Sequence, residues 1–134
     1  MRSWQALIPV LGGLVLAGTA VAAPTPVAGV YQATIKGKAS LLNGTWLISF
    51  APSGAYTVAK EPATRLPLIG GVSKVSHQSL SFDDKTGPLA CTGAQAKAVY
   101  SWSRSGSKLI LKPVHETCAG REAILASGPL TKVG

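Results

Sequence analysis

From Gly44 to Phe50 the chain alternates in period two. Trp46, Ile48 and Phe50 fall on one face, Leu47 and Ser49 on the other. That period is the signature of a strand with one buried face. Short alternating runs, broken by Gly, Pro, Ser and Asp, recur along the rest of the chain after residue 29. No helical period is read there, so the spacing predicts strands throughout. Eight are expected, over residues 30–36, 45–50, 55–60, 72–76, 79–83, 95–102, 108–112 and 121–127.

Alternation also predicts which residues face inward. Trp46, Ile48 and Phe50 should meet Tyr56, Val58, Leu80 and Phe82. Tyr100, Trp102, Leu109, Leu111 and Ile124 complete the expected interior. The fourth strand is ambiguous, because Val72 and Val75 fall on opposite faces. An even strand count lets an up-and-down meander close on itself, which removes exposed edges. The fold class predicted is therefore all-β, an eight-stranded antiparallel up-and-down barrel. Parity sorts its connections between two ends. Residues 37–43, 61–71, 84–94 and 113–120 share one end; 51–54, 77–78 and 103–107 share the other.

The first 22 residues stand apart from this pattern. Arg2 precedes an uncharged, apolar stretch from Ala6 to Ala22, and Ala20-Val21-Ala22 fits the small-x-small rule for signal peptidase. The run is interrupted by Pro9 and three glycines and is slightly short for a bilayer span. The expected organisation is a signal peptide over 1–22, an extended Pro-rich leader over 23–29 and one barrel domain over 30–134. Cleavage would leave 112 of the 134 residues, enough for a single core. No membrane span is expected after cleavage, and the location expected is secreted or cell-envelope.

The formal charge is +8, of which Arg2 would leave with the signal. The remaining Lys and Arg occur singly, without a cluster of three and without aromatic interleaving. That pattern is a solvated basic surface, so no nucleic-acid partner is expected. Cys91 and Cys118 are the only cysteines. In an exported chain they are expected to form a disulfide, worth about 3–4 kcal/mol. Parity places both at the same end of the barrel, together with Gly44, Trp46 and Arg121.

Three segments, Leu42-Asn43-Gly44-Thr45-Trp46, Tyr100-x-Trp102 and Cys118-Ala119-Gly120-Arg121, resemble small secreted bacterial lipocalin-like (calycin-type) barrels. The resemblance covers residues 30–127. It implies that Trp46 plugs the closed end and that Arg121 packs over its ring as a lid, a cation–π contact of about 0.5–2 kcal/mol. Gly44, Trp46 and Arg121 would then be structural. The chain departs from the family pattern in placing its Arg at the start of the last strand, and in lacking the middle lipocalin motif and a C-terminal helix.

Function is then expected at the opposite end. Phe50, Tyr56, Tyr100, Trp102, His77 and Arg104 are the candidate ligand-binding residues there; the aromatic ones, with Phe82, either line an apolar cavity or simply fill a narrow eight-stranded barrel. Buried Tyr hydroxyls need partners, which a wet or ligand-filled interior would supply. His77 and His115 fall at opposite ends and cannot share one metal. Asp83-Asp84 reads as a turn-forming pair. Glu116 is placed to pair with Arg121 or to cap the loop before it. There is no Gly-x-Ser-x-Gly elbow. No metal, cofactor or catalytic residue is expected. The leading expectation is a monomeric binding protein for a small hydrophobic or amphipathic ligand held in the barrel. A lipocalin-like cyclase or isomerase of an apolar substrate would use the same cavity without a triad. A secreted protease inhibitor or envelope interaction module would instead act through the 60–68 loop around Arg65, or through the leader.

Overall fold

The computed structural model describes residues 26–37, 41–61 and 67–134. The predicted signal segment lies outside them. Eight antiparallel strands close into a barrel in chain order. They are β1 (Gly29–Ile35), β2 (Gly44–Phe50), β3 (Ala55–Lys60), β4 (Ile69–Ser76), β5 (Ser79–Thr86), β6 (Lys97–Ser105), β7 (Lys108–His115) and β8 (Leu130–Lys132). A helix, α1 (Ala119–Ala126), stands between β7 and β8.

Period two is the organising rule. On β1, Tyr31, Ala33 and Ile35 are buried while Gln32 and Thr34 are exposed. On β2, Trp46, Ile48 and Phe50 are buried. Leu80, Phe82, Tyr100, Leu109 and Leu111 continue the same interior around the barrel. Val75 packs against that core, and Val72 is turned outward, which resolves the ambiguity of the fourth strand. Trp102 is only half-buried, at the margin of the core. The end of the expected leader packs too, because Val27 is buried in the core.

The eighth strand differs from the expectation. Residues 121–127 do not form it; they lie in or just beyond α1, and the closing strand is the short β8 downstream. Ala, Arg, Glu and Leu dominate 119–126, and these are good helix formers. Arg121, Ile124 and Leu125 are the buried residues of α1, spaced three and four apart so that one face meets the barrel. Ser127-Gly128-Pro129 then stops the helix. β8 still closes the barrel, pairing Leu130 with Leu109 and Lys132 with Tyr31. Strand parity therefore survives.

Several strands also run longer than expected. β5 continues through Asp83 and Asp84 to Thr86, so this pair is not a turn. β7 passes through Pro113 to His115. It does so across a register shift at Val99/Tyr100, an irregularity that tolerates a proline. The segment before β6 is a 3₁₀ turn, Gly93–Ala96.

The connections sort as parity requires. Short turns at 51–54, 77–78 and 106–107 share one end, with His77 in a left-handed conformation at φ +45°. Longer connections share the other end, where Cys91 and Cys118 form a disulfide with their Cα atoms 6.2 Å apart. Helix α1 begins directly after Cys118 and covers this stapled end, touching β1 and β7.

Candidate functional site

Inward positions of a barrel are normally apolar, so polar residues in that phase mark the chemistry of the interior. Asp84 is in phase with Leu80 and Phe82 on β5, and it is buried. Its Oδ2 accepts the backbone N–H of Cys91 at 2.8 Å, and its Oδ1 accepts the hydroxyl of Tyr56. Gly71 allows this arrangement. A Cβ there would collide with the Asp83 carbonyl and stand 2.9 Å from the Tyr56 ring.

Arg121 of α1 enters the same network, and its side chain is 2 % exposed. Its Nε and Nη2 donate to the two oxygens of Glu116, each at 2.8 Å. Nη1 and Nη2 donate to the carbonyls of Ala96 and Gln95, each at 2.7 Å. Nη1 also lies 3.1 Å from Asp84 Oδ1. Those five contacts match the five N–H donors of a guanidinium. Glu116 in turn accepts the hydroxyl of Tyr100 at 2.6 Å and the backbone N–H of Cys118 at 2.8 Å. Glu116 thus both pairs with Arg121 and caps the loop.

The disulfide and the ionic network form one unit. Each cysteine gives its backbone N–H to one carboxylate, Cys91 to Asp84 and Cys118 to Glu116. Burial pushes the Glu116 carboxyl up, but the bonds from Arg121, Tyr100 and Cys118 outweigh it and hold it below the usual carboxylate range. Burial alone would lower Arg121, yet Glu116 and Asp84 keep it raised. The Tyr100 phenol is driven well above the usual tyrosine range by burial, and further by Glu116. No N–H of Arg121 is left for a ligand. The cluster is an internal clamp between β3, β5, β6 and α1.

The expected ring-on-cation contact is also redistributed. The cation over the Trp46 ring is Lys60, with Nζ 5.6 Å from the centroid. Trp46 is fully buried at the stapled end and donates its Nε1 hydrogen to the Leu42 carbonyl at 2.9 Å. Arg121 is instead committed to Glu116, Asp84 and two backbone carbonyls, because opposite charges compete for a buried guanidinium more strongly than a ring face does.

The six candidate ligand residues separate into three settings. Phe50, Tyr56 and Tyr100 are interior and belong to one aromatic stack through Phe82. Successive centroids are 5.1 Å apart for Tyr56–Phe82, 5.4 Å for Phe82–Tyr100 and 6.0 Å for Phe50–Phe82. Tyr31, which alternation on β1 places inside but which was not among the candidates, joins the stack through Phe50 at 5.9 Å. Trp102 stands at the margin, with its Nε1 shielded and lacking a hydrogen-bond partner among the described residues. Arg104 and His77 are exposed at the turn end. Arg104 donates to the Tyr31 hydroxyl and lies 5.8 Å from that ring, capping the stack. All three tyrosine hydroxyls have protein partners, so they do not call for a ligand.

The stapled end offers a different surface. A recess of about 240 Å³ opens there, lined by Leu41, Leu42, Ile69, Leu89, Gly120, Arg121 and Ile124. Its wall is almost wholly apolar, and Leu41 at its rim is 66 % exposed. Sequence reasoning missed it because α1 builds one side, and those residues read as a strand. Comparison with family models, curated proteins and solved structures returned no match. The site's own geometry is therefore the basis for a functional reading. Among the described residues no helix is long and apolar enough to cross a membrane. Part of the proposed protease-facing loop, residues 62–66 with Arg65, lies outside the described residues.

Proposed function

We propose that the protein is a secreted bacterial lipocalin-like binding protein for a small apolar or amphipathic molecule. The ligand site is the recess at the stapled end, not the turn end around His77 and Arg104. The observation that carries this reading is the apolar recess between Leu41, Leu89 and α1, with an exposed leucine at its rim. Concave apolar surface of this kind gains free energy by excluding water. At about 240 Å³ it falls below the roughly 300 Å³ at which drug-sized ligands begin, so the ligand is a small one.

Binding is favoured over catalysis by the lining itself. Arg121 is its one polar side chain among the described residues, and the guanidinium is already saturated. Export is supported by the disulfide and by the apolar segment behind Arg2.

Trp46 reports on occupancy, because its indole is tied to Leu42 in the recess wall. Titration of the folded protein with a panel of short fatty alcohols and monoterpenes should shift tryptophan emission saturably. Gly120 lines the recess, and a Cβ there meets no atom within 4 Å. Gly120→Phe should therefore occlude the site without disturbing the fold, whereas Arg104→Ala at the far end should leave binding unchanged. A response lost in Arg104→Ala and kept in Gly120→Phe would refute the location; no response to any probe would refute the function.

A further inference from the structure

The interior clamp changes where the chain's charge resides. Asp84 and Glu116, two of the five acidic residues, are buried with Arg121, so the clamp holds −1. The formal total is +8, or +7 once Arg2 leaves with the signal, so the rest of the exported chain carries +8. Lysines that stand singly in the sequence are gathered by the sheet. Lys74, Lys85, Lys97 and Lys112 all occupy outward positions of β4 to β7, where Asp83 is the one outward acid.

Register sets these residues on one outer face, separated by short polar neighbours. Asp83 sits between Val72 of β4 and Lys97 of β6, Lys74 is opposite Ser81, and Lys112 is opposite Ser101. Lys85 reaches back to Asp83 at 3.0 Å. The face is also apolar in part, since Val72 is 48 % exposed and Val99 is half-buried beside it. A groove of about 520 Å³ runs over it, lined in part by Val72, Lys74, Asp83, Lys85, Lys97 and Val99.

We propose that this outer face docks an extended acidic segment of another protein. Side chains on one face of a strand repeat every 6.8 Å or so, and an extended peptide presents alternate side chains at the same repeat. Its carboxylates would meet the lysines, and its intervening apolar side chains would rest on Val72 and Val99. Charge complementarity sets the sign of the partner. The valines and Asp83 set its class. A densely charged polyphosphate or sulfated glycan gains nothing from exposed valines and is repelled by an acid within the groove. A polypeptide can place a neutral residue there. Because the barrel is closed, recognition runs through side chains and not through strand addition.

The test is fluorescence anisotropy with a labelled alternating Glu/Val peptide at low and moderate salt. Far-UV circular dichroism verifies the fold of each variant. Binding should weaken about tenfold or more in Lys74→Glu/Lys97→Glu and about threefold in Val72→Ser. It should change less than about twofold in Lys36→Glu/Lys132→Glu, which reverses the same number of charges elsewhere. Equal weakening in the two double variants would reduce the effect to net charge and overturn the proposal. So would an alternating Glu/Ser peptide binding as tightly as Glu/Val, or polyphosphate or anionic vesicles displacing the peptide at lower charge concentration than the peptide itself.

Discussion

Replacing Arg121 by Met keeps most of the side-chain volume and removes only the guanidinium. The structure then leaves Glu116 and Asp84 with no measurable side-chain exposure and without their cation, and strands the carbonyls of Gln95 and Ala96. Breaking a buried ion pair from one side costs about 3–5 kcal/mol, because the partner charge stays desolvated. Against a typical total of about 5–15 kcal/mol, that is a large fraction. With a urea slope of about 2 kcal/mol/M, the midpoint should fall by about 2 M.

Urea titration with the disulfide intact would measure this, followed by tryptophan emission and far-UV circular dichroism together. Coincident curves are needed for a two-state reading. The pH dependence gives an independent check. Glu116 is held below its ordinary range in the folded chain, so its pairing contributes fully above the unfolded value and is lost as pH falls through the folded one. In Arg121→Met that contribution is already absent, and protonating Glu116 relieves the buried charge. The gap between wild type and variant should therefore narrow in acid. A loss under about 1 kcal/mol at neutral pH, or a gap that widens in acid, would refute the clamp. The triple variant with Asp84→Asn and Glu116→Gln should regain part of the loss, since no unpaired charge remains.

Opening the disulfide by Cys91→Ala/Cys118→Ala should cost about 3.5 kcal/mol for a sequence separation of 27, read as a lowered urea midpoint. A value below about 1 kcal/mol would mean that the clamp alone fixes this end. Alkaline titration followed at 295 nm should show Tyr100 remaining a phenol past the usual tyrosine range, until the protein unfolds. Because its folded value is raised, that contribution to stability is complete below the unfolded value, about 10, and is lost as pH rises beyond it. An early phenolate signal equal to all three tyrosines in a folded sample would contradict the Glu116 contact. His77→Asn should stabilise the β4–β5 turn by about 1 kcal/mol, since Asn tolerates the left-handed conformation at φ +45°. An unchanged melting temperature would show that the turn holds His77 without strain.

The two surfaces proposed for binding are separate, and their tests distinguish them. Gly120→Phe acts at the stapled end and Lys74→Glu/Lys97→Glu on the outer sheet. The recess takes a small apolar molecule, while the outer face takes an extended acidic chain. Loss of one activity with retention of the other therefore leaves the remaining reading intact.

Period-two alternation determined the barrel. Trp46, Ile48, Phe50, Tyr56, Leu80, Phe82 and Tyr100 are inside because strand geometry sends alternate side chains to opposite faces. Parity alone puts Cys91 and Cys118 at one end, since an antiparallel meander admits no other sorting of its connections. Local signals failed where the structure depends on distant partners. Helix α1 has only eight residues, too few to declare a helical period; packing of Arg121, Ile124 and Leu125 against the barrel supports it. Asp84 carried a readable sign, its phase with Leu80 and Phe82, but only the meeting of β5, the loop after β7 and α1 shows that Arg121 and Glu116 complete it. The same holds for the lysines, solitary along the chain and gathered on one outward face of the sheet. A sequence lists spacing along one dimension. Ion pairs, recesses and charged faces depend on distances between strands, and closure of the barrel sets those.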